Sequence, residues 1–249
     1  MGKRKKWLKW GAIVLGILLV GLVIAYFYTN EDRPKGVEGP QAEALAQKML
    51  KAINDEAWQQ TGAAGWTFAG KRSLVWDRAR QYAKVNWDAN EAYVKINSKE
   101  GVVFKNGQKV NGEAADELIE EAWKIWVNDA FWLNPVSKAY DPGTSRSLVE
   151  TEDGRQGLMV EYSSGGDTPG DAYLWFLNED GLPESWKMWV SIIPVGGMEV
   201  SWEDWIVTET GVKIATTHHF AGSDLKITNV KTARDLITLA GEDIFEGIF

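Results

Sequence analysis

Residues 172 to 192 read AYLWFLNEDGLPESWKMWVSI. Two apolar runs, 173–177 and 186–193, flank Asn178, Glu179, Asp180 and Gly181, a cluster of turn-forming residues. That pattern predicts a β-hairpin. Its strands are apolar on both sides, so both faces of the sheet they join need covering. The fold has to supply helices or loops to do so.

Working outward, similar signals recur along the chain. SLVETEDG and GLMVEYSS precede the hairpin, and GMEVSWEDWIVTETGVKIATTHHF and LKITNVKT follow it, with a second hairpin turn at Glu209, Thr210 and Gly211. Upstream, WTFAG, RSLVWD, QYAKVNWD, EAYVKINS and GVVFKNGQKV are short segments bounded by Asp77 to Arg80, Asp88 to Asn90 and Asn106-Gly107. They predict an antiparallel meander. Two stretches carry helical spacing instead. Ala42, Leu45, Ala46, Met49, Leu50, Ile53, Ala57 and Trp58 form the first stripe, ended by TGAAG; Ala115, Leu118, Ile119, Ala122, Trp123, Trp126 and Ala130 form the second, closed by Pro135. The expected class is α+β: a large curved antiparallel sheet, an open half-barrel, capped by helices.

The first forty residues differ from the rest. Residues 11–28, GAIVLGILLVGLVIAYFY, are eighteen residues without a charge or a proline. As a helix they span roughly 27 Å, close to the thickness of a bilayer core. Lys3, Arg4, Lys5, Lys6 and Lys9 precede the run, and acids follow it. The expected organisation is a basic cytoplasmic tail (1–10), a transmembrane signal anchor (11–28), a flexible stalk (29–40) and an extracytoplasmic domain (41–249). A cleaved signal peptide is the alternative, with Val23-Ile24-Ala25 as its cleavage tripeptide. The length of the run and the aromatics directly after it favour the anchor. The expected location is the bacterial cytoplasmic membrane, single-pass, with the C-terminal domain in the periplasm.

Charge and composition narrow the function. The chain has 249 residues, 27 basic and 35 acidic side chains, a net charge of −8 and no cysteine. Without the five basic residues of the tail, 22 basic face 35 acidic side chains. So acidic a body repels phosphate backbones, and nucleic-acid binding is not expected. The absence of cysteine removes thiolate chemistry, Cys-based zinc sites and a lipid-anchored cysteine. No serine-hydrolase, zinc-protease, phosphate-loop or dinucleotide fingerprint occurs, so neither catalytic residues nor a cofactor is expected. His218 and His219 are the only histidines. As strand neighbours they point to opposite faces and do not make a metal site. Glu203 and Asp204, between Trp202 and Trp205, raise the alternative of a glycan-binding or glycan-cleaving protein, with tryptophans as sugar platforms.

Of the 14 tryptophans, the twelve from Trp58 to Trp205 exceed what a core of this size needs. They point to an apolar cavity between sheet and helical lid. Trp123, Trp126, Phe131 and Trp132 on the second helix are the expected ligand contacts, with Trp175, Trp189 and Trp205 on the strands. A structural envelope module with a filled core is the remaining alternative.

The order helix, meander, helix and longer strands, with NEDGLPESWKMWVS followed by VSWEDWIVTETGVKIATTHHF, resembles the lipoprotein-carrier (LolA-like) superfamily over most of residues 41–235. The resemblance implies an incomplete antiparallel barrel capped by helices over a cavity for acyl chains. It also implies a periplasmic protein that binds a lipid or other hydrophobic small molecule without catalysis. The carriers diffuse freely, whereas this chain carries its own anchor, and none of their lipid-gating residues is matched here. The chain is also similar to uncharacterised membrane-anchored envelope proteins of this layout.

Overall fold

The computed structural model describes residue 10 and residues 29–164, 168–220 and 222–249. The run expected to cross the membrane, 11–28, lies outside them. Among the described residues, no helix is long and apolar enough to cross a membrane.

The fold is α+β, as expected, but its strands form two antiparallel sheets. The first half of the chain builds helix α1 (Pro40–Ile53), helix α2 (Asp55–Gln59) and the meander β1 (Ala63–Phe68), β2 (Arg72–Asp77), β3 (Tyr82–Trp87), β4 (Asn90–Lys95), β5 (Glu100–Lys105) and β6 (Gln108–Lys109). Helix α3 (Glu113–Leu133) and a short 3-10 turn (Val136–Lys138) follow. Next come β7 (Thr144–Glu150), β8 (Gln156–Tyr162), β9 (Ala172–Leu177), β10 (Pro183–Trp189), β11 (Met198–Ser201) and β12 (Glu203–Val207). β13 (Lys213–Phe220), β14 (Ser223–Ala233) and α4 (Leu236–Ala240) complete the chain. One sheet has nine strands in the order β12-β13-β14-β1-β2-β3-β4-β5-β6, and the other has five, β11-β10-β9-β8-β7.

The split falls inside a segment that reads as one strand. Residues 198–201 pair with β10, whereas residues 203–207 pair with β13. The change of partner comes at Trp202, whose amide donates to Glu184 O, and at Asp204, whose φ of 52° is left-handed. Ser201 remains tied to the other sheet through His219 N, which donates to its hydroxyl at 2.9 Å. The two sheets are therefore continuous through one segment.

Each sheet presents its apolar face to one helix. On the meander, Trp76 lies opposite Ala64 on one side and Ala83 on the other, so a large ring sits between small neighbours. That alternation lets the row pack densely under α3. On the five-stranded sheet, the row Leu148, Leu158, Trp175, Trp186 and Val200 faces α1. The helix meets it with Ala42, Ala46, Met49 and Ile53. The small residues bring the helix axis close to the sheet.

The first helix ends earlier than its stripe implies, at Asn54. That residue adopts φ 60°, ψ 56°, and its side-chain amide donates to Gly211 O at 2.9 Å. A left-handed Asn is a frequent helix terminator, and here a long-range hydrogen bond to the β12–β13 turn holds it in place.

Residues 30–37, read from sequence as part of a stalk, lie along the outer face of the five-stranded sheet. Glu31 pairs with Lys187 on β10 at 2.7 Å, and its carbonyl accepts from Trp189 Nε1. Val37 exchanges two backbone hydrogen bonds with Leu148 on β7. Gly36 lies against Ser147, where an added Cβ would fall 2.2 Å from the hydroxyl. Ser147, Met159, Leu174 and Lys187 form one cross-strand row, so the strap touches both ends of it. Four strands span about 14 Å, within the reach of six extended residues. The outer apolar face that the hairpin sequence left to be covered thus meets the chain's own N-terminal segment.

Candidate functional site

The interior where the two sheets and α3 converge is aromatic. Trp132 near the end of α3 stands at the junction, its ring centroid 5.3 Å from Trp186, 5.4 Å from His218 and 6.1 Å from Trp202. Phe131 packs on the five-stranded side, 5.1 Å from Tyr173 and 6.0 Å from Trp186. Trp175 lies 4.7 Å from Trp186, and Trp205 reaches Trp202 at 6.3 Å. Trp126 packs on the nine-stranded side, edge-on to Trp76 at 5.3 Å. Five of the expected contact residues therefore border this interior: Trp126, Phe131, Trp132, Trp175 and Trp205.

The other two do not. Trp123 lies at the rim of α3, with its indole N–H on Ile96 O and the Lys99 ammonium 3.5 Å above its ring. Ala115, Ile119, Ala122 and Ala130 of the expected stripe are buried, but Ile125, Asp129 and Leu133 join them in place of Trp123 and Trp126, so the helix is rotated relative to that stripe. Trp189 lies on the outer face of the five-stranded sheet, bonded to the strap. Strand alternation is the reason: Trp186 and Met188 point inward, which turns Lys187 and Trp189 outward.

Sequence reasoning missed several residues of the interior. Trp186 is fully buried, Trp202 nearly so, and His218 is fully buried between Trp202 (4.2 Å) and Trp132. His219 points the other way, to the surface beside Asp224. Burial pushes the His218 imidazole down to about 4, so it is neutral at pH 7. Its Nδ1 lies 3.2 Å from Ser201 O, and a carbonyl only accepts, so Nδ1 carries the proton. Nε2 is left as a buried acceptor. It has no hydrogen-bond partner, and neither do the indole N–H groups of Trp126, Trp186 and Trp202.

Two ion pairs tie the helices to the sheets, one on a buried acid and one at the surface. Arg72 on β2 reaches Asp129 of α3 at 2.7 Å, and Arg146 on β7 reaches Glu43 of α1 at 2.9 Å. Asp129 is fully buried, and burial pushes its carboxyl up to about 6 despite Arg72 and Asn128. Glu43 is held below the usual carboxylate range by the Tyr140 hydroxyl and by Arg146. The sequence signal for Asp129 was slight: it is a lone acid between Trp126 and Phe131, off the apolar stripe.

Glu203 and Asp204 are exposed, whereas Trp202 between the sheets is buried and is not presented as a surface platform. Among the described residues, no group of three or more His, Asp or Glu side chains is placed to hold a metal ion.

No protein-family model matches the sequence, and no curated protein matches it. Among solved structures, the chain is similar to a DUF1329 family protein from Desulfovibrio piger. The identity is 9 %, the TM-score is 0.42, and the match covers 81 % of this chain and 97 % of that one.

Proposed function

We propose that the chain is a membrane-anchored extracytoplasmic protein of the bacterial cytoplasmic membrane that binds a lipid, an acylated molecule or another apolar ligand without catalysis. The ligand would occupy the concave interior between the two sheets, taken as an open half-barrel, with α3 as its lid. The observation that carries this reading is the set of unpaired ring nitrogens at Trp126, Trp186, Trp202 and His218. Each buried polar group left without a partner costs about 1–3 kcal/mol. An amphiphile with ester or hydroxyl oxygens on an apolar body would pair with them and bury its chain among the rings. Apolar burial contributes about 25 cal/mol per Å², so one long acyl chain supplies appreciable affinity. Trp126, Phe131 and Trp132 would contact it from the lid, and Trp175 and Trp205 from the strands.

A second reading, a structural envelope module with a filled core, has its own support. Trp76 meets Trp126 at 76°, and Trp186 meets Trp202 at 74° with centroids 4.8 Å apart. Edge-to-face rings of this kind let an indole N–H face a neighbouring π cloud.

Solvent extraction and mass spectrometry of the purified full chain separate the two. Copurified lipid, together with a change in tryptophan fluorescence on adding fatty acid, is expected for the binding protein. An empty extract and unchanged fluorescence would leave the filled core. Trp126→Ala is expected to weaken lipid uptake by about tenfold, equivalent to about 1.4 kcal/mol of binding. Its effect on stability should be smaller than that, and the reverse order would assign Trp126 to the core.

A further inference from the structure

The loop between β10 and β11 has a composition unlike the rest of the surface. Residues 188–198, MWVSIIPVGGM, are eleven consecutive residues without a charge in a chain that is 25 % charged. Val190 and Ile193 tuck against the core of the five-stranded sheet. Ile192 and Pro194 turn outward, and Ile192 is 73 % exposed.

The loop is held at one particular place on the chain. Asn30 Oδ1 accepts from Gly196 N at 2.9 Å, and Glu31 N donates to Gly196 O at 3.0 Å. The charges nearest the loop are bonded: Asp171 accepts from Ser191 N at 3.0 Å, and Lys187 bonds both carboxylate oxygens of Glu31, at 2.8 and 2.7 Å. Trp189, which leads into the loop, has its indole N–H on Glu31 O at 2.8 Å. A cleft of about 370 Å³ separates the strap from the loop and from Gly170 and Asp171. Glu31, Asp32 and Arg33 are exposed in this region, with Glu31 paired to Lys187 and Arg33 to Glu161 at 3.2 Å, which leaves a slight excess of acid, so the surface suits a neutral partner better than an anionic one.

Asn30 is two residues beyond the end of the apolar run 11–28. Two residues extend at most about 7 Å. Once residues 11–28 occupy a bilayer, Asn30 and the loop bonded to it have to lie at the interface of that bilayer. An uncharged apolar tip with a tryptophan at its base has the composition of an interfacial segment.

We infer that loop 190–197 is a second membrane contact, whose outward Ile192 and Pro194 enter the interfacial layer of the same bilayer that holds residues 11–28. This rests on the anchor reading of residues 11–28 in the proposed function. The strap fixes the loop beside the anchor, and the two contacts together set the orientation of the domain on the membrane. Val207 lies at the end of the edge strand β12, which belongs to the other sheet.

The chain has no cysteine, so single-cysteine probes are clean. The full chain would be placed in phosphatidylcholine nanodiscs with an environment-sensitive fluorophore at Leu18→Cys, Ile192→Cys or Val207→Cys. Val207 is 68 % exposed and serves as the surface control. Lipid carrying a nitroxide near the end of its acyl chain, which reports on position 18, and lipid carrying one high on the chain, which reports on positions 192 and 207, are then titrated in separately. Expected is strong quenching at positions 18 and 192, and a several-fold smaller loss at 207. If 18 is quenched and 192 is not, the anchor stands and the loop contact is overturned. If 18 is not quenched, the anchor reading fails and the inference falls with it. Equal quenching at 192 and 207 would mean general adhesion of the domain, and a blue shift at 192 without quenching would mean a protein cover; either overturns the loop contact.

Discussion

Asp129 and His218 are two buried titratable groups whose shifts oppose each other. Burial raises Asp129 to about 6 from an ordinary 3.8, so the folded protein binds its proton more readily than the unfolded chain. Stability from this group is full below about 3.8 and is lost as pH rises through 6. His218 is depressed to about 4 from 6.5, so its contribution is full above 6.5 and is lost as pH falls through 4. Each shift corresponds to about 3 kcal/mol, and between pH 4 and 6.5 they largely offset one another. Asp129→Asn removes one side of that balance. Relative to the parent chain, the variant is expected to be less stable at pH 4 and to recover about 2 kcal/mol of that difference by pH 7, as read by denaturant unfolding at the two pH values. Carboxylates common to both proteins cancel in the difference, and parallel pH profiles would show that Asp129 is not shifted. Asp129 stands outside the apolar stripe read from the sequence, so its burial was not legible. Nor was its partner, because Arg72 lies 57 residues away on a strand whose inner face only the register defines.

At the scale of elements, the strap is the segment whose sequence says least about its place. Residues 29–40 read as a linker because Gly36, Gly39, Pro34 and Pro40 break any period. Their role comes from tertiary contacts: Gly36 leaves room for Ser147, and Val37 pairs with Leu148. Gly36→Val would drive a side chain into Ser147 and lift the strap from β7. Hydrogen exchange at the amides of Val37 and Leu148 is expected to rise by about tenfold, for a local loss of about 1.4 kcal/mol. Exchange in the meander should not change, and unchanged protection at Leu148 would show that the strap contact contributes nothing. Helix α3 was legible almost to the residue, from its apolar stripe and Pro135. Its rotation about its own axis was not, since neighbouring stripes of similar apolarity differ only in which fits the sheet. That rotation moves Trp123 to the rim and brings Asp129 inside.

At the scale of the whole molecule, the two sheets are closed on their outer faces by the two ends of the described chain. The strap lies on the five-stranded sheet, and the segment after α4 lies on the nine-stranded one. There Phe245 is buried, 5.5 Å from Tyr82 and 6.0 Å from Tyr93, and Asp243 accepts two hydrogen bonds from Arg80 at 2.8 Å. Phe245→Ala is expected to destabilise the chain by about 3–5 kcal/mol. Ile237→Ala, at a position 61 % exposed, should stay within about 0.5 kcal/mol in the same thermal or denaturant assay. Equal effects would mean that the C-terminal cover is not part of the cooperative fold. By itself the sequence determined the α+β class, the meander, both long helices and the hairpin around Gly181, because periodicity and turn chemistry are local properties of the chain. Only the tertiary structure decided that the strands divide into two sheets at Trp202, that Trp189 faces outward, and that Trp186, Trp202 and His218 meet at the junction. Those outcomes depend on register and on partners far apart in the chain, and a one-residue change in register exchanges the two faces of every strand it touches.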